Sequence, residues 1–158
     1  MSVESVREYL KKFNKDKSVM EFDISSATVE LASVAVGVIP ARIAKTLSFM
    51  LKDGTPVLIV TAGDSKIDNP KYKQVFSCKA KMLTPGEVIE FTGHPVGGVC
   101  PFDIKSPDVA VYLDESLKRF ETVFPAAGSG SSAVEMTCGE LFTASGAREW
   151  IDVCKQAE

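Results

Sequence analysis

The sequence predicts an α+β fold, in which a mixed β-sheet is surrounded by helices. Strand-like and helix-like segments are interleaved irregularly along the 158 residues, without the even rhythm of a doubly wound sheet. One hairpin signature and two helices with recognisable caps lie among them. The 45% hydrophobic and 25% charged content is that of a globular protein, and the length suits one domain over residues 1–158.

The first elements are two helices separated by a short strand. The N-terminal segment MSVESVREYLKKF is amphipathic and predicts a helix with one apolar face. SVMEF alternates and predicts the strand. Residues 25–38 predict the second helix, which ends near Gly37. Ser25, Ser26 and Thr28 are its candidate caps.

A β-hairpin is predicted next. ARIAKTLSFML, residues 41–51, alternates between the two faces of a strand, and VLIVTA, residues 57–62, is a short apolar run. The Asp53-Gly54 pair between them is typical of a hairpin turn. We therefore expect these two strands to pair antiparallel.

The second half predicts two helices followed by shorter elements. A lysine-rich helix is expected from Asn69 to about Phe76. In TPGEVIEF, Thr84 is placed as N-cap, Pro85 as first helical residue and Glu87 as capping-box partner. The remaining elements are strands at 109–112, 121–125 and 133–137, a helix at 139–143 and a closing segment at 150–153.

The composition argues against several classes of function. The apolar runs are far too short to cross a bilayer, and the N-terminus lacks the apolar core of a signal peptide. We therefore expect a cytoplasmic protein without a membrane partner. One histidine and four scattered cysteines offer too few ligands for a metal site, and no cofactor is expected. The net charge of −3 argues against a protein that grips long nucleic acid.

Positive charge is concentrated in the first half of the chain. Residues 1–83 carry 13 Lys and Arg against 9 Asp and Glu, whereas residues 84–158 carry 5 against 12. The segment SKIDNPKYKQVFSCKAK contributes Lys66, Lys71, Lys73, Lys79 and Lys81. Such a run is either a solvated face or a patch that faces phosphates.

Lys45 is the strongest single-residue candidate for a functional role. The period-two rule places it on one strand face with Ile43, Leu47 and Phe49, so its side chain points toward a core or a cleft. Burying an ammonium is costly unless it is paired, its pKa shifts or it opens onto a pocket. The alternatives are a bulge that changes the register, or a lysine stem that snorkels from a sheet edge.

The segment FTGHPVGGVCPFDI, residues 91–104, has the composition of a backbone cradle for an anion. Gly97 and Gly98 allow the main chain to approach a ligand closely, and Pro95 and Pro101 restrict the loop around them. Successive N–H groups in such a turn can hold a developing oxyanion. The same composition also suits a tight connection between two elements.

His94 and Cys100 lie six residues apart in this loop, so a catalytic dyad is geometrically possible. No obvious third residue orients the imidazole, and nothing adjacent clearly depresses the thiol pKa. We therefore expect His94, Val99 and Cys100 to contact substrate rather than to form a nucleophile. A second stretch, AAGSGSSAVEMTCGEL, is either a flexible turn or a second wall with Gly128, Ser129, Ser131 and Ser132.

Three segments together resemble the YbaK/EbsC group, free-standing relatives of the editing domain inserted in bacterial prolyl-tRNA synthetases. They are IAKTLSF (43–49), TGHPVGGVCPFDI (92–104) and AAGSGSSAVEMTCGEL (126–141). Their order and spacing also agree, and the likeness covers nearly the whole chain. It implies a curved mixed sheet wrapped by helices, and hydrolysis of mischarged aminoacyl-tRNA in trans.

The resemblance carries roles onto particular residues. The family's lysine falls on Lys45 and its Gly-x-x-x-Pro loop on Gly97–Pro101, at the site for the aminoacyl-adenosine end of tRNA. Independently of the resemblance, we expect Lys71, Lys73, Lys79 and Lys81 to guide the acceptor end of the mischarged tRNA, with a synthetase as a possible second partner. Family members lean on the substrate's own groups instead of a protein nucleophile.

Three positions depart from the family. Cys100 replaces a serine or proline, Asp103 a glycine, and Ala133 the acidic residue of the branch that removes cysteine. The amino acid removed is therefore open among cysteine, alanine, serine and other noncognates. Two other functions stay as alternatives: a non-catalytic module that binds a nucleotide or amino acid, and a thiol enzyme that uses Cys100.

Overall fold

The computed structural model describes residues 2–156, which form ten strands and five α-helices. The strands are β1 (Val19–Glu21), β2 (Ile43–Met50), β3 (Pro56–Ala62), β4 (Ser65–Ile67), β5 (Ala110–Asp114), β6 (Thr122–Pro125), β7 (Ser132–Val134), β8 (Met136–Thr137), β9 (Trp150–Ile151) and β10 (Cys154–Gln156). The helices are α1 (Val3–Leu10), α2 (Val29–Val36), α3 (Asn69–Phe76), α4 (Pro85–Thr92) and α5 (Cys138–Ser145).

Six strands form a curved mixed sheet in the order β8-β6-β2-β3-β5-β9. Strands β2 and β3 pair antiparallel, whereas β2–β6, β3–β5 and β5–β9 pair in parallel. Two antiparallel ribbons, β1–β7 and β4–β10, lie beside this sheet. The mixture of pairings, with helices around the sheet, confirms the predicted α+β class.

The helices and the hairpin form where their sequence signals predict. Thr28 caps α2, and Thr84 and Glu87 complete the capping box of α4. Between β2 and β3, the Asp53 carboxylate accepts a hydrogen bond from the Thr55 N–H at 2.9 Å and orders the turn. The β2–β3 register runs without interruption from Ala44 to Met50, so no bulge displaces Lys45 from its predicted face.

The central sheet has apolar packing on both faces. Ala44, Leu58 and Val60 face the larger core, which also contains Cys100 and Phe102. The alternate residues of the same two strands, Phe49, Val57 and Ile59, face a second core against α3. Lys45 therefore lies on the second face and close to its end.

The segment 133–137 is not one strand, as the sequence predicted, but two. Ser132–Val134 pairs with β1, whereas Met136–Thr137 pairs with β6 in the main sheet. Glu135 lies exposed between them and accepts a hydrogen bond from the Thr122 hydroxyl at 2.7 Å. A local pattern shows that residues are extended but not which strand they join, so the prediction was wrong here.

Of the closing segment predicted at 150–153, residues 150–151 form β9, whereas β10 begins just after the segment at Cys154, and the ribbon β4–β10 was not predicted. Both its strands have three residues, too few to produce a readable alternation. Residues 2–156 contain no helix with the length and hydropathy needed to span a bilayer.

Candidate active site

A pocket of about 260 Å³ opens at the edge of β2. Its walls are the amino end of α2, the first half of β2, the loop around Gly97, the end of β6 and the start of β7. The polar lining residues include Ser26, Thr28, Lys45, Thr46 and Ser132, and the apolar ones include Ala32, Ile43, Phe124, Ala126 and Ala133. The pocket therefore combines a small apolar lining with one ammonium.

The pocket exists because one edge of β2 is paired at both ends and open in the middle. Pairing with β6 stops at Ala44, and pairing with the chain before α4 begins at Ser48, whose C=O accepts the Leu83 N–H at 3.1 Å. Alternate residues of a strand direct their main-chain groups to the same edge, so the N–H and C=O of Thr46 face the opening. The N–H and C=O of Thr46 are thus available to pair with a ligand, as they would with a neighbouring strand.

Lys45 lines this pocket and is half-buried. Its ammonium donates a hydrogen bond to the C=O of Ser65 in β4 and forms no ion pair with a carboxylate of residues 2–156. Burial lowers the pKa of Lys45 below its ordinary 10.5, and the charges of Asp64 and Glu30 only partly oppose this. The ammonium is therefore held by a neutral acceptor and stays free to neutralise an anion.

The amino end of α2 lines the pocket beside the loop of residues 91–104, the glycine loop, where a Cβ on Gly97 would lie 3.1 Å from the Ala27 Cβ. The Thr28 hydroxyl accepts the Leu31 N–H at 3.2 Å, and residues 26–29 line the pocket. The first N–H groups of a helix carry partial positive charge and bind anions. The sequence located this helix start through its cap, but no local pattern places it beside Lys45.

The glycine loop contributes fewer donors than the sequence suggested. The Gly98 N–H already donates to the Pro95 C=O at 2.8 Å, and Pro101 has no N–H and is buried away from the pocket. Gly97 and Val99 do line the pocket. The predicted cradle over 97–101 is therefore reduced to the main chain of these two residues.

His94 and Cys100 do not line the pocket, contrary to the expectation that they contact substrate. Both have no exposed surface. The Phe102 C=O lies 2.7 Å from His94 Nε2, which must carry a proton since a carbonyl only accepts. Burial raises the pKa of the Cys100 thiol to about 12. Burial, a raised thiol pKa and a neighbouring ring nitrogen that already donates elsewhere all argue against Cys100 as a nucleophile.

The serine-rich loop, residues 126–131, packs against the glycine loop and contributes little to the pocket lining. A Cβ on Gly98 would lie 2.7 Å from the Ser129 main chain, so the two loops are in close contact. Ser129 donates a hydrogen bond to the Ser132 hydroxyl at 2.9 Å and accepts one from the Ser131 N–H. Of the predicted wall residues, only Ser132 lines the pocket, whereas Gly128, Ser129 and Ser131 do not.

The predicted lysine patch is divided in the structure. Lys71 is neutralised by Asp152, at 3.0 Å. Lys73 and Lys79 line a separate cavity of about 610 Å³ beside α3, and exposed Lys81 accepts the Met50 N–H with its C=O. Met50 is five residues along β2 from Lys45, about 17 Å at the usual rise. The four lysines therefore do not form one surface at the pocket.

This chain is similar to known proteins both in sequence and in fold. The family described as the aminoacyl-tRNA editing domain matches residues 25–144. The uncharacterised protein YwhH of Bacillus subtilis is 54% identical over the full length of both chains. The proline–tRNA ligase of Geobacter sulfurreducens is 29% identical over 118 residues, which are 73% of this chain and 20% of the ligase.

A solved structure provisionally described as a trans-editing enzyme for prolyl tRNA synthetase superposes with a TM-score of 0.86. It is 29% identical, and the match covers 97% of this chain and 96% of that one. The similarity therefore extends over the sheet and helices that build the pocket, and not over one motif alone.

Proposed function

Because this chain belongs to the aminoacyl-tRNA editing domain family, we propose that it hydrolyses the ester bond of a mischarged aminoacyl-tRNA. The observation that carries the proposal is the Lys45 ammonium, which lines a small pocket beside the amino end of α2 and forms no ion pair with a carboxylate of residues 2–156. Relatives and a structural neighbour associated with prolyl-tRNA synthesis support the proline tRNA as the carrier of the wrong amino acid.

The positive groups of the pocket suit the negative charge that develops during ester hydrolysis. Val29 at the start of α2, the loop residues Gly97 and Val99, and Lys45 all line one cavity, so a helix amino end, main-chain groups and an ammonium lie around it. A preformed donor aimed at an oxyanion is worth about 3 kcal/mol. We assign Lys45 to the terminal phosphate or the acyl oxygen, and Gly97 and Val99 to the oxyanion.

The attacking group in this proposal is water or a ribose hydroxyl of the tRNA. Among residues 2–156, the side chains that line the pocket include the hydroxyls of Ser26, Thr28, Thr46 and Ser132 but no histidine, cysteine or carboxylate. A hydroxyl nucleophile needs an adjacent base, and Lys45, a basic side chain of this lining, acts as a protonated cation in the proposal. This favours attack by a group that the substrate or solvent supplies.

Amino-acid selection would depend on the small apolar part of the lining. Ala32, Ala126 and Ala133 leave room for a short side chain beside Ile43 and Phe124. Ala133 supplies no charge, so the pocket has nothing specific for a thiol or hydroxyl at that place. Exclusion by size is worth about 1–3 kcal/mol per methylene. We therefore propose a small noncognate such as alanine, serine or cysteine.

Deacylation of preformed proline tRNA charged with Cys, Ala, Ser or Pro tests the proposal. We expect protein-dependent loss of at least one small noncognate. A folded protein that hydrolyses none of them would refute the proposed activity. Thermal stabilisation by an aminoacyl-adenosine analogue without turnover would then assign the pocket to a non-catalytic binding module.

A Cys100→Ala substitution should leave deacylation within about threefold of wild type, since a buried thiol with a raised pKa has no route to the ester. In the wild-type protein, iodoacetamide should modify the partly exposed Cys78 and Cys138 before Cys100. Mass spectrometry of the modified peptides measures this order. Loss of activity in Cys100→Ala, with early modification of Cys100 in the native protein, would instead support the thiol enzyme.

The pH dependence of deacylation should follow the protonation state of Lys45. Its protonated form is the active one in the proposal, and burial lowers its pKa from 10.5. The protein-dependent rate, after subtraction of spontaneous hydrolysis, should therefore fall as pH rises, with a midpoint below 10.5. Lys45→Arg keeps its charge to higher pH and should lose this alkaline decline. A rate that declines identically in both proteins would contradict the assignment.

A further inference from the structure

The ribbon β4–β10 places two lysines directly opposite each other. Its antiparallel register pairs Lys66 with Lys155, and both side chains are exposed. The neighbouring pair, Ile67 and Cys154, points to the other face, where Cys154 is buried. One face of the ribbon thus packs on the protein, and the other presents two ammonium groups to solvent.

This arrangement is unfavourable in the free protein. Like charges directly opposite on neighbouring strands destabilise the pair. Among the residues that the structure describes, no carboxylate forms an ion pair with Lys66 or Lys155. Lys71, which reaches the same ribbon at the Cys154 C=O, is by contrast neutralised by Asp152. A bound anion would relieve the repulsion between the two free ammonium groups.

The ribbon also holds the candidate catalytic lysine. The C=O of Ser65, the residue before Lys66, accepts the hydrogen bond from the Lys45 ammonium. Consecutive Cα atoms are about 3.8 Å apart, so Lys66 lies on the same short piece of chain as the anchor of Lys45, and Lys155 faces Lys66 across the ribbon. A ligand that reaches from the pocket across β4 would meet Lys66 and Lys155.

We propose that Lys66 and Lys155 together bind a phosphate group of the RNA backbone while the aminoacylated end occupies the pocket. The inference rests on the proposed function, which brings RNA to this part of the molecule. Charge complementarity supports RNA as the occupant, because the two facing ammonium groups have no carboxylate partner among residues 2–156. Asp114, Glu115 and Asp152 line a cavity with Lys155, so the phosphate is expected on the exposed face of the ribbon, away from that cavity.

Binding of uncharged tRNA at several salt concentrations tests the proposal, with wild type beside Lys66→Gln/Lys155→Gln. Each neutralised phosphate contributes about −0.7 to −0.9 to the slope of log affinity against log salt. We expect the double variant to bind about 5- to 30-fold more weakly at low salt, with a slope shallower by about 1. Both lysines are exposed, so the fold should persist, which circular dichroism checks.

The matched control is Lys17→Gln/Lys52→Gln, which removes the same charge from two exposed lysines that form no ion pair with described residues. Equal affinity and slope in the two double variants would overturn the proposal, because only net charge would then matter. Equal tRNA binding combined with a selective loss of binding to a poly-glutamate peptide would also overturn it, in favour of an acidic protein partner.

A substrate without phosphates separates this inference from the proposed function. Lys66→Gln/Lys155→Gln should hydrolyse aminoacyl-adenosine at the wild-type rate, while its hydrolysis of aminoacyl-tRNA at low concentration falls. If wild type hydrolyses neither substrate, the proposed function fails, yet the tRNA affinities and salt slopes still decide whether the lysine pair binds phosphate.

Discussion

Lys45→Ala is expected to reduce deacylation by about 10²- to 10³-fold, the cost of removing one preformed group that stabilises developing charge. The substitution removes the one lysine or arginine that lines the pocket among residues 2–156, and leaves the Ser65 C=O without its ammonium partner. The apolar stem is half-buried, so a modest loss of stability should accompany the loss of activity. Single-turnover rates with preformed aminoacyl-tRNA measure the effect.

Two controls keep this result interpretable. Lys52→Ala removes an exposed lysine from the β2–β3 turn and should leave the rate unchanged. Lys45→Met keeps most of the apolar stem and should be as inactive as Lys45→Ala while retaining more stability. If Lys45→Met hydrolyses aminoacyl-tRNA at more than about a third of the wild-type rate, the ammonium has no role in the proposed reaction.

Gly98→Ala is expected to damage both stability and activity, because the new Cβ would meet main-chain atoms that cannot move aside alone. It would lie 2.7 Å from the Cα and C of Ser129 and 2.9 Å from its N. Overpacking of this kind costs about 1–3 kcal/mol. Separating the two loops also displaces Gly97 and Val99 at the pocket, so we expect deacylation to fall by at least about tenfold.

The matched control for this substitution is Gly86→Ala. Gly86 lies in the first turn of α4, where an added Cβ meets no atom within 4 Å and alanine favours the helix. Chemical denaturation should therefore show equal or higher stability for Gly86→Ala, together with wild-type activity. Wild-type stability in Gly98→Ala would show that Gly98 is not in close contact with the main chain of Ser129.

For Lys45, the local sequence pattern predicted the strand face but not the hydrogen-bond partner. Alternation along β2 placed it on the face of Leu47 and Phe49, and the continuous pairing with β3 keeps it there. The pattern did not reveal that Ser65 holds the ammonium, since the two residues are 20 positions apart and β4 is too short to predict. The sequence thus identified the residue but not its partner.

The glycine loop shows that composition can locate a site without identifying which residues line it. Its composition correctly drew attention to the chain around Gly97, but composition cannot separate residues that face a pocket from residues behind it. His94 and Cys100 belong to the second group because the loop packs on the larger core, with its own residues Cys100 and Phe102 buried there. Only the packed structure decides this, since burial depends on residues far along the chain.

By itself the sequence determined the fold class, the capped helices, the β2–β3 hairpin and the candidate lysine, because each depends on spacing and chemistry within a few residues. The tertiary structure alone decided which groups meet at the pocket, that 133–137 divides between two sheets and that Lys66 faces Lys155. These depend on strand pairing between distant segments, and pairing is selected by the packing of the whole core.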